Sequence, residues 1–194
     1  MTEKEKMLRG MLYDADDSTL CADRVRAKEL CHAYNQLRPS DAAGMRELLQ
    51  RLLGETGETF CVTAPFWCDY GYNIRLGEHF YANHNLVILD CAAVTFGEHV
   101  FVAPNCGFYT AGHPIDAECR ERGLEYAYPI IVGDHVWIGG GVQVMPGVTI
   151  GSNVVIGGGS VVVKDIPSDS VAVGNPCRVI RPITEADKQT CWDR

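Results

Sequence analysis

The feature that most constrains the fold is a six-residue period in the second half of the chain. From Ile130 onward, apolar β-branched residues recur at every sixth place in two interleaved series, and glycine recurs on the same beat. The first series is Val132, Ile138, Val144, Ile150, Ile156 and Val162, and the second is Ile130, Val136, Val142, Val148 and Val154, followed by Ser160. Neither a helix nor a hairpin meander has this period. We therefore predict short strands joined by tight corners, three to a coil, with each coil covering the apolar layer of the next.

The same beat runs through an earlier segment, with one irregularity. Its members are Ile74, Phe80 and Leu86, then, after a slip of two residues near Asp90, Val94, Val100 and Cys106. The predicted coils therefore begin soon after Phe60.

The first 58 residues follow a helical period instead. One stripe consists of Leu20, Ala27, Leu30, Tyr34 and Leu37, and a second consists of Met45, Leu48, Leu49, Leu52 and Leu53. Asp17 or Ser18 is expected to cap the first helix and Ser40 or Asp41 the second, with Gly54 placed to end it. We expect a helical subdomain at 1–58, a β-helix at 59–183 with a protruding loop at about 112–129, and a short tail at 184–194.

Charge and cysteine usage exclude several classes of protein. The formal net charge of −8 disfavours binding to nucleic acid or to an anionic membrane surface. No apolar stretch approaches the length of a membrane span, and the first residues do not have the pattern of a signal peptide. The 9 cysteines are scattered without a C-x-x-C pair. We expect reduced thiols in a cytoplasmic protein.

The repeat also sorts the histidines. His79, His99 and His135 each fill the sixth place of a hexad, in G-E-H, G-E-H and G-D-H, which predicts corner residues with a structural role. His113 differs, because it lies in T-A-G-H-P where the hexads stop, and Ile130 restarts the beat in phase. A long excursion from a regular scaffold often carries function. His113 is therefore the candidate catalytic residue.

Motifs along nearly the whole chain resemble the maltose/galactoside O-acetyltransferase family of hexapeptide-repeat transferases. They include K-E-K-M-L-R-G-M-L-Y, C-D-Y-G-Y-N-I, F-Y-A-N, T-A-G-H-P, E-Y-A-Y-P-I, V-W-I-G-G, V-K-D-I-P and G-N-P-C-R-V-I-R, and L-D-C-A-A-V is closer to the maltose-type enzymes. The resemblance implies a mainly β protein, a left-handed parallel β-helix with an N-terminal helical subdomain. It also implies a homotrimer with active sites between subunits, and acetyl transfer from acetyl-CoA to a sugar hydroxyl with no metal required.

The resemblance assigns roles to individual residues. His113 matches the catalytic base, and Asn83 matches a residue that orients the reactants or stabilises the transition state. Substrate contacts are implied for Asp69, Asn83, Glu125 and Tyr126. The wall that holds acetyl-CoA is implied to consist of Trp137, Gly140, Gly158, Val163, Lys164, Arg178 and Arg181. The three cations of this wall are the only basic residues between Val136 and Ile183, so they are candidate phosphate ligands.

Three positions depart from the galactoside enzymes of the family. Those enzymes tend to have Ser in place of Asp69, and they have a second Asp in place of Cys91. Their N-terminal substrate Asp aligns with Ala15, which lies between Asp14 and Asp16. The differences at Cys91 and Ala15 weaken the case for galactosides in particular, and the expected acceptor is a sugar of the maltose, glucose or galactoside type.

The chemistry of the reaction fits these residue types. A sugar hydroxyl is a poor nucleophile, and an imidazole that takes its proton accelerates attack by about 10²–10⁴. The thioester oxyanion needs a preorganised donor, for which a backbone N–H near Gly140 is a candidate. No cysteine matches a family nucleophile, so we expect direct transfer within a ternary complex.

Three alternatives remain open at this stage. The acceptor could be an antibiotic hydroxyl instead of a sugar. A γ-type carbonic anhydrase shares the β-helix, and His79 and His84 have a suggestive spacing for zinc, although a third histidine upstream is missing. A trimeric scaffold without catalytic activity is the third.

Overall fold

The computed structural model describes residues 1–189, and residues 190–194, with Cys191 and the end of the predicted tail, lie outside the described part. The helices are α1 (Glu3–Leu8), α2 (Ser18–Gln36), α3 (Ala42–Leu52), α4 (Ala117–Glu121) and α5 (Glu185–Gln189). The strands are β1 (Tyr13–Asp14), β2 (Glu55–Thr56), β3 (Phe60–Val62), β4 (Phe66–Cys68), β5 (Ile74–Leu76), β6 (Phe80–Ala82), β7 (Leu86–Leu89), β8 (Val94–Phe96), β9 (Phe101–Val102), β10 (Gly107–Tyr109), β11 (Ala111–Gly112), β12 (Leu124–Ala127), β13 (Ile130–Val132), β14 (Trp137–Ile138), β15 (Gln143–Val144), β16 (Thr149–Ile150), β17 (Val154–Ile156), β18 (Val161–Val162), β19 (Ser170–Val173) and β20 (Arg178–Pro182).

Three parallel sheets form the faces of a β-helix, which confirms the predicted fold class. Face 1 contains β2, β5, β8, β13 and β16, face 2 contains β3, β6, β9, β14, β17 and β19, and face 3 contains β4, β7, β10, β15 and β18. The antiparallel strand β20 extends face 2 at its end. Every member of the two hexad series is buried, including Ser160. Each points into the interior of the prism that the three faces enclose, where the coils above and below cover it.

The register shows where the chain departs from strict repetition. Trp137 pairs with Val155 of the next coil, but on its other side it pairs with Phe101, two coil lengths back along the chain. The intervening excursion therefore leaves the coil and returns without shifting the ladder. The slip near Asp90 is also confirmed, since Ile88 and Phe96 lie eight positions apart whereas the equivalent Val144 and Ile150 lie six apart.

The three corners of the prism differ in regularity. The first corner, between faces 1 and 2, presents His79, His99, His135, Asn153 and Asp169 on successive coils, all with φ between 54° and 56°. The second corner, between faces 2 and 3, holds residues 83–85, 103–106, 139–142 and 157–160. The third corner, between faces 3 and 1, holds residues 69–73, 90–93, 110–129 and 145–148, so both the slip and the excursion occur there.

The helical subdomain packs against the first coils of the β-helix. Asp17 caps α2 through the backbone N–H groups of Thr19 and Leu20, and Asp41 caps α3, as predicted. Gly54 does not end α3 in the expected way, since the cap residue Leu53 is extended and Gly54 has no left-handed φ. Gly54 is needed for another reason: a Cβ there would lie 2.2 Å from the carbonyl oxygen of Tyr72.

A small antiparallel sheet connects the N-terminal segment to the excursion. β12 is its central strand and pairs with β1 on one side and with β11 on the other. Two distant parts of the sequence therefore meet at the third corner. Within residues 1–189 there is no helix both long and apolar enough to cross a membrane.

Candidate active site

The catalytic candidate His113 follows directly after β11, at the start of the excursion. The turn behind it is held by the Arg120 guanidinium, which donates to the carbonyl oxygens of Pro114 and Ile115 at 3.0 and 2.5 Å. Arg120 belongs to α4, which Asp116 caps through the N–H of Cys119. The loop thus carries its own hydrogen bonds, and the histidine stands on an ordered support.

The orientation of the His113 ring defines which nitrogen can act as a base. Nδ1 lies 3.2 Å from the carbonyl oxygen of Leu124. Because a carbonyl oxygen can only accept, Nδ1 carries the proton of the neutral ring and Nε2 keeps its lone pair. The side chain is 54% exposed, so Nε2 is open to an incoming acceptor.

A carboxylate lies beside Nε2 of the ring, and a phenol contacts that carboxylate. Glu125 Oε1 is 3.8 Å from Nε2 of His113, and Glu125 Oε2 accepts a hydrogen bond of 2.6 Å from the hydroxyl of Tyr13. Tyr13 is fully buried, and this burial raises the pKa of its hydroxyl, which therefore stays a donor. A proton arriving at Nε2 would create a positive charge beside this carboxylate, which would stabilise it.

Asp69 occupies the same corner, one coil below Asp90 and Cys91. The Cys91 thiol donates to Asp69 Oδ2 at 3.6 Å, and burial raises the pKa of Asp69. Asp90 is fully buried and has a structural role, because its carboxylate accepts from the backbone N–H groups of Asp69, Tyr70 and Asn73. Burial also raises the pKa of Asp90, to about 6. The residue at the slip therefore fixes the turn that carries Asp69.

Tyr126 lies across the strand that leads to His113. It pairs with Gly112, and a Cβ on Gly112 would lie 2.5 Å from the end of the Tyr126 ring, so a side chain at this position would displace the ring. The Tyr126 ring also packs on that of Tyr128 at 5.0 Å. Among the predicted site residues, the structure thus brings His113, Glu125, Tyr126 and Asp69 to the third corner.

Asn83 is not part of this group within one chain. It follows β6 at the second corner, where an open groove is lined by Tyr81, Asn83, Phe101, Val102, Ala103 and Trp137. Face 3 separates the second corner from the third. A single chain therefore does not place Asn83 beside His113.

Three of the predicted cofactor residues share this groove or the corner beside it. Trp137 is 56% exposed on the outer side of face 2, and Gly140 and Gly158 lie on successive coils of the second corner. Gly139 and Gly141 both donate their N–H groups to backbone carbonyls, whereas among the described residues the N–H groups of Gly140 and Gly158 have no acceptor. These free N–H groups could donate hydrogen bonds to an oxyanion that develops during a reaction.

The remaining cofactor residues are divided between two places. Arg178 and Arg181 lie on β20, where Arg181 forms a two-pronged ion pair with Asp187 at 2.8 and 2.9 Å. Among the residues that the structure describes, Arg178 donates only to the carbonyl oxygen of Cys177. Arg178 is therefore the more available cation for a phosphate. Val163 and Lys164 are exposed after β18, on the column of the third corner.

The pair of histidines proposed for zinc does not share a site. His79 lies at the first corner, stacked on His99 with ring centroids 4.5 Å apart, and His99 stacks on His135 at 5.1 Å. His84 lies at the second corner with Nδ1 2.5 Å from the carbonyl oxygen of Ala64. Within residues 1–189, no three His, Cys, Asp or Glu side chains are grouped to hold a metal ion.

Sequence reasoning missed two residues of the N-terminal segment that contact the third corner. Tyr13 was not singled out because its strand has two residues and no period. Arg24 of α2 donates to the hydroxyl of Tyr70 at 2.9 Å and to the carbonyl oxygen of Ala15 at 2.7 Å, which ties the N-terminal segment to the turn after Asp69. Ala15 itself is buried, whereas Asp14 and Asp16 beside it are exposed.

Comparison with known proteins gives consistent matches. The maltose acetyltransferase hexapeptide capping motif matches residues 6–57, and the bacterial transferase hexapeptide model (six repeats) matches residues 129–164. A Saccharomyces cerevisiae protein named as an acetyltransferase is 55% identical over 96% of this chain and 95% of its own length.

Two solved structures extend this comparison to the fold. A maltose O-acetyltransferase from Clostridium difficile 630 is 50% identical, with a TM-score of 0.94 over 95% of this chain and 99% of its own. A galactoside acetyltransferase in complex with coenzyme A is 43% identical, with a TM-score of 0.94 over 97% of this chain and 94% of its own.

Proposed function

The chain belongs to the maltose and galactoside acetyltransferase family of hexapeptide-repeat transferases, and from this we propose that it acetylates a sugar hydroxyl, with acetyl-CoA as donor and His113 as general base. The observation that carries the proposal is the hydrogen bond from Nδ1 to Leu124, which leaves Nε2 free to accept a proton. A hydroxyl that loses its proton to Nε2 can attack the thioester carbon directly. The resulting thiolate of CoA leaves as the acetyl ester forms.

Glu125 and Tyr13 support the base in this proposal. The Glu125 carboxylate lies close enough to stabilise the imidazolium that forms during attack. Tyr13 acts through Glu125, because its hydroxyl restricts where the carboxylate can point. Tyr13 is therefore a positioning residue.

A polyhydroxylated acceptor fits the third corner. The Asp69 and Glu125 carboxylates lie at the same corner. The exposed Asp14 and Asp16 lie nearby, on β1 and on the segment that follows it. Carboxylates accept hydrogen bonds from neighbouring hydroxyls of a sugar. This supports a sugar over an apolar alcohol, and a panel of maltose, glucose, galactosides and antibiotic alcohols tests it by release of free CoA.

The cofactor is proposed to bind along the second corner. Its pantetheine arm would lie in the apolar groove beside Trp137, and its phosphates would contact Arg178. The thioester oxygen would accept a hydrogen bond from the free N–H of Gly140. Because His113 lies at another corner, we propose that the reacting groups come from two neighbouring chains of a trimer.

Mixing two inactive variants tests this arrangement. His113→Ala and Asn83→Ala should each lose turnover, since each removes one half of every site. In mixed trimers, some sites combine an intact His113 from one chain with an intact Asn83 from its neighbour. A trimer that contains both variants has one such intact site of its three, so assemblies purified through both tags should show about a third of the wild-type rate of CoA release.

The controls make the result decisive. Differently tagged variants are co-expressed and purified through both tags, which proves that mixed assemblies are present. If these assemblies stay as inactive as the parents, the site does not form between chains. If the protein releases no CoA with any acceptor of the panel, the proposed reaction itself fails.

A further inference from the structure

Two buried cysteines face each other where the helical subdomain meets the β-helix. Cys31 belongs to α2 and Cys68 to β4, and their Sγ atoms are 3.7 Å apart. Cys31 is 0% and Cys68 5% exposed. The other described cysteines lack such a contact with a second thiol. The pair is therefore a distinct feature of this interface.

Neighbouring hydrogen bonds hold the two backbones in place. The side-chain amide of Asn35 donates to the carbonyl oxygen of Phe66 at 3.0 Å and accepts from the N–H of the same residue at 2.9 Å. The neighbouring Tyr34 hydroxyl donates to the carbonyl oxygen of Val62. Both contacts lie within about one helical turn after Cys31 and before Cys68, so they hold α2 against this part of the first coil while the interface is intact.

We propose that Cys31 and Cys68 are an oxidation site that closes to a disulfide in the presence of a peroxide. The Cys31 thiolate attacks one peroxide oxygen and breaks the O–O bond, which gives a sulfenic acid and, after protonation, one water molecule. The Cys68 thiol then attacks the Cys31 sulfur, loses its proton and expels the second oxygen as water. In sum, two thiols and hydrogen peroxide give one disulfide and two water molecules.

The contact between the thiols assigns the two roles. A hydrogen bond from the Cys68 thiol lowers the pKa of Cys31, and the same contact, together with burial, raises the pKa of Cys68. Cys31 is therefore the first nucleophile and Cys68 the resolving thiol. Closing the disulfide requires the separation of the sulfur atoms to fall from 3.7 Å to the bond length of about 2.05 Å.

Because the pair is buried, it should differ from an exposed cysteine in the product of its oxidation and not in a higher rate of oxidation. Peroxide is little larger than water, but it reaches a buried thiol slowly, so the exposed Cys61 should react first. With no neighbouring thiol in the described structure, Cys61 should proceed to sulfinic acid. Cys31 should instead be captured by Cys68. The resulting bond would join α2 to the first coil and restrict the unfolded chain over the 37 positions between the two residues.

The test treats the full-length protein with hydrogen peroxide and then alkylates free thiols after unfolding. Digestion without reduction should yield a linked pair of peptides containing Cys31 and Cys68, lighter than the two free peptides by two hydrogens. The midpoint of thermal unfolding should rise by about 5 °C or more, and dithiothreitol should reverse the rise.

Matched variants separate this site from other oxidation. Cys31→Ser and Cys68→Ser should show no linked peptide and no rise in the midpoint, whereas Cys61→Ser should behave like the wild type. The proposal is overturned if both thiols remain open to alkylation, if they become sulfinic acids, or if they bridge to other cysteines. A linked peptide without any rise in the midpoint of thermal unfolding would overturn the proposed stabilisation by the disulfide.

Discussion

The first and third corners of the prism use histidine in opposite ways. At the first corner, His79, His99 and His135 repeat on successive coils with the same left-handed φ, and their rings stack. At the third corner, His113 occurs once, on a segment that leaves the coil, with its ring hydrogen-bonded on one side and open on the other. Repetition thus accompanies the residues that form the scaffold, and the interruption carries the residue that we propose as the general base.

The backbone explains why the two corners differ. Histidine, asparagine and aspartate tolerate a left-handed φ better than most residues, which is why these three types follow each other up the first corner. The third corner is not restricted in this way, because its turns vary in length from coil to coil. It could therefore accept the buried carboxylate of Asp90 and the whole excursion that carries His113.

The largest expected effect contrasts one histidine from each corner. His113→Ala should lower kcat by about 10²–10⁴, because the acceptor loses its general base. His99→Ala should change kcat less than twofold, since its ring stacks on those of His79 and His135 at a corner that does not hold His113. Initial rates of CoA release at saturating substrates measure both. Equal losses in the two variants would contradict the distinction between the corners.

A smaller effect tests the support of the base. Tyr13→Phe removes only the hydroxyl that donates to Glu125, so kcat should fall about fivefold while KM for acetyl-CoA stays unchanged. Tyr34→Phe is the matched control, because it removes another buried hydroxyl from the same subdomain, one that donates to the carbonyl oxygen of Val62. If both variants lose activity equally, Tyr13 has only a structural role.

The pH dependence of stability should reveal the buried carboxyl of the third corner. The pKa of Asp90 is raised to about 6 in the folded protein, so its stabilising contribution is complete below the unfolded pKa and is lost as pH rises through about 6. The wild type should therefore gain about 1 kcal/mol relative to Asp90→Asn between pH 7.5 and 5. Urea unfolding at both pH values measures the difference. A constant difference between the two proteins would show that Asp90 does not titrate in this range.

A further comparison of stability concerns the backbone of the first corner. His99→Asn and His99→Val both remove the stacked ring, but valine resists the left-handed φ of 54° that asparagine accepts. The valine variant should be less stable than the asparagine variant by about 1–2 kcal/mol, because the shared loss of stacking cancels in the comparison. Thermal unfolding followed by circular dichroism gives the difference. If the two variants melt together, the φ angle is not what selects the corner residue.

Much of the scaffold could be predicted because one period encodes it. The hexads identify the buried positions, the corner histidines and the place where the chain departs, and the helical stripes identify α2 and α3. The contact between Tyr13 and the Glu125 carboxylate beside His113 could not be predicted from a period, since β1 has two residues and its partner β12 is distant in sequence. Periodicity likewise says nothing about the contact between Cys31 and Cys68, which depends on how α2 lies on the first coil.

The separation of Asn83 from His113 could not be predicted from the sequence either. Both residues match motifs of the family, and a list of motifs does not show that they lie at different corners. Only the order of the faces reveals it. The same holds for Arg181, whose charge is matched by Asp187 and thereby distinguished from that of Arg178.

The pairing of β1 with β12 bears on the order of events during synthesis. Tyr13 and Glu125 are 112 positions apart, so the amino-terminal strand emerges from the ribosome long before its partner exists. Helices and early coils can settle by local contacts, but this strand has to wait until the excursion has been made. Competence for the reaction would thus be among the last properties that a nascent molecule acquires.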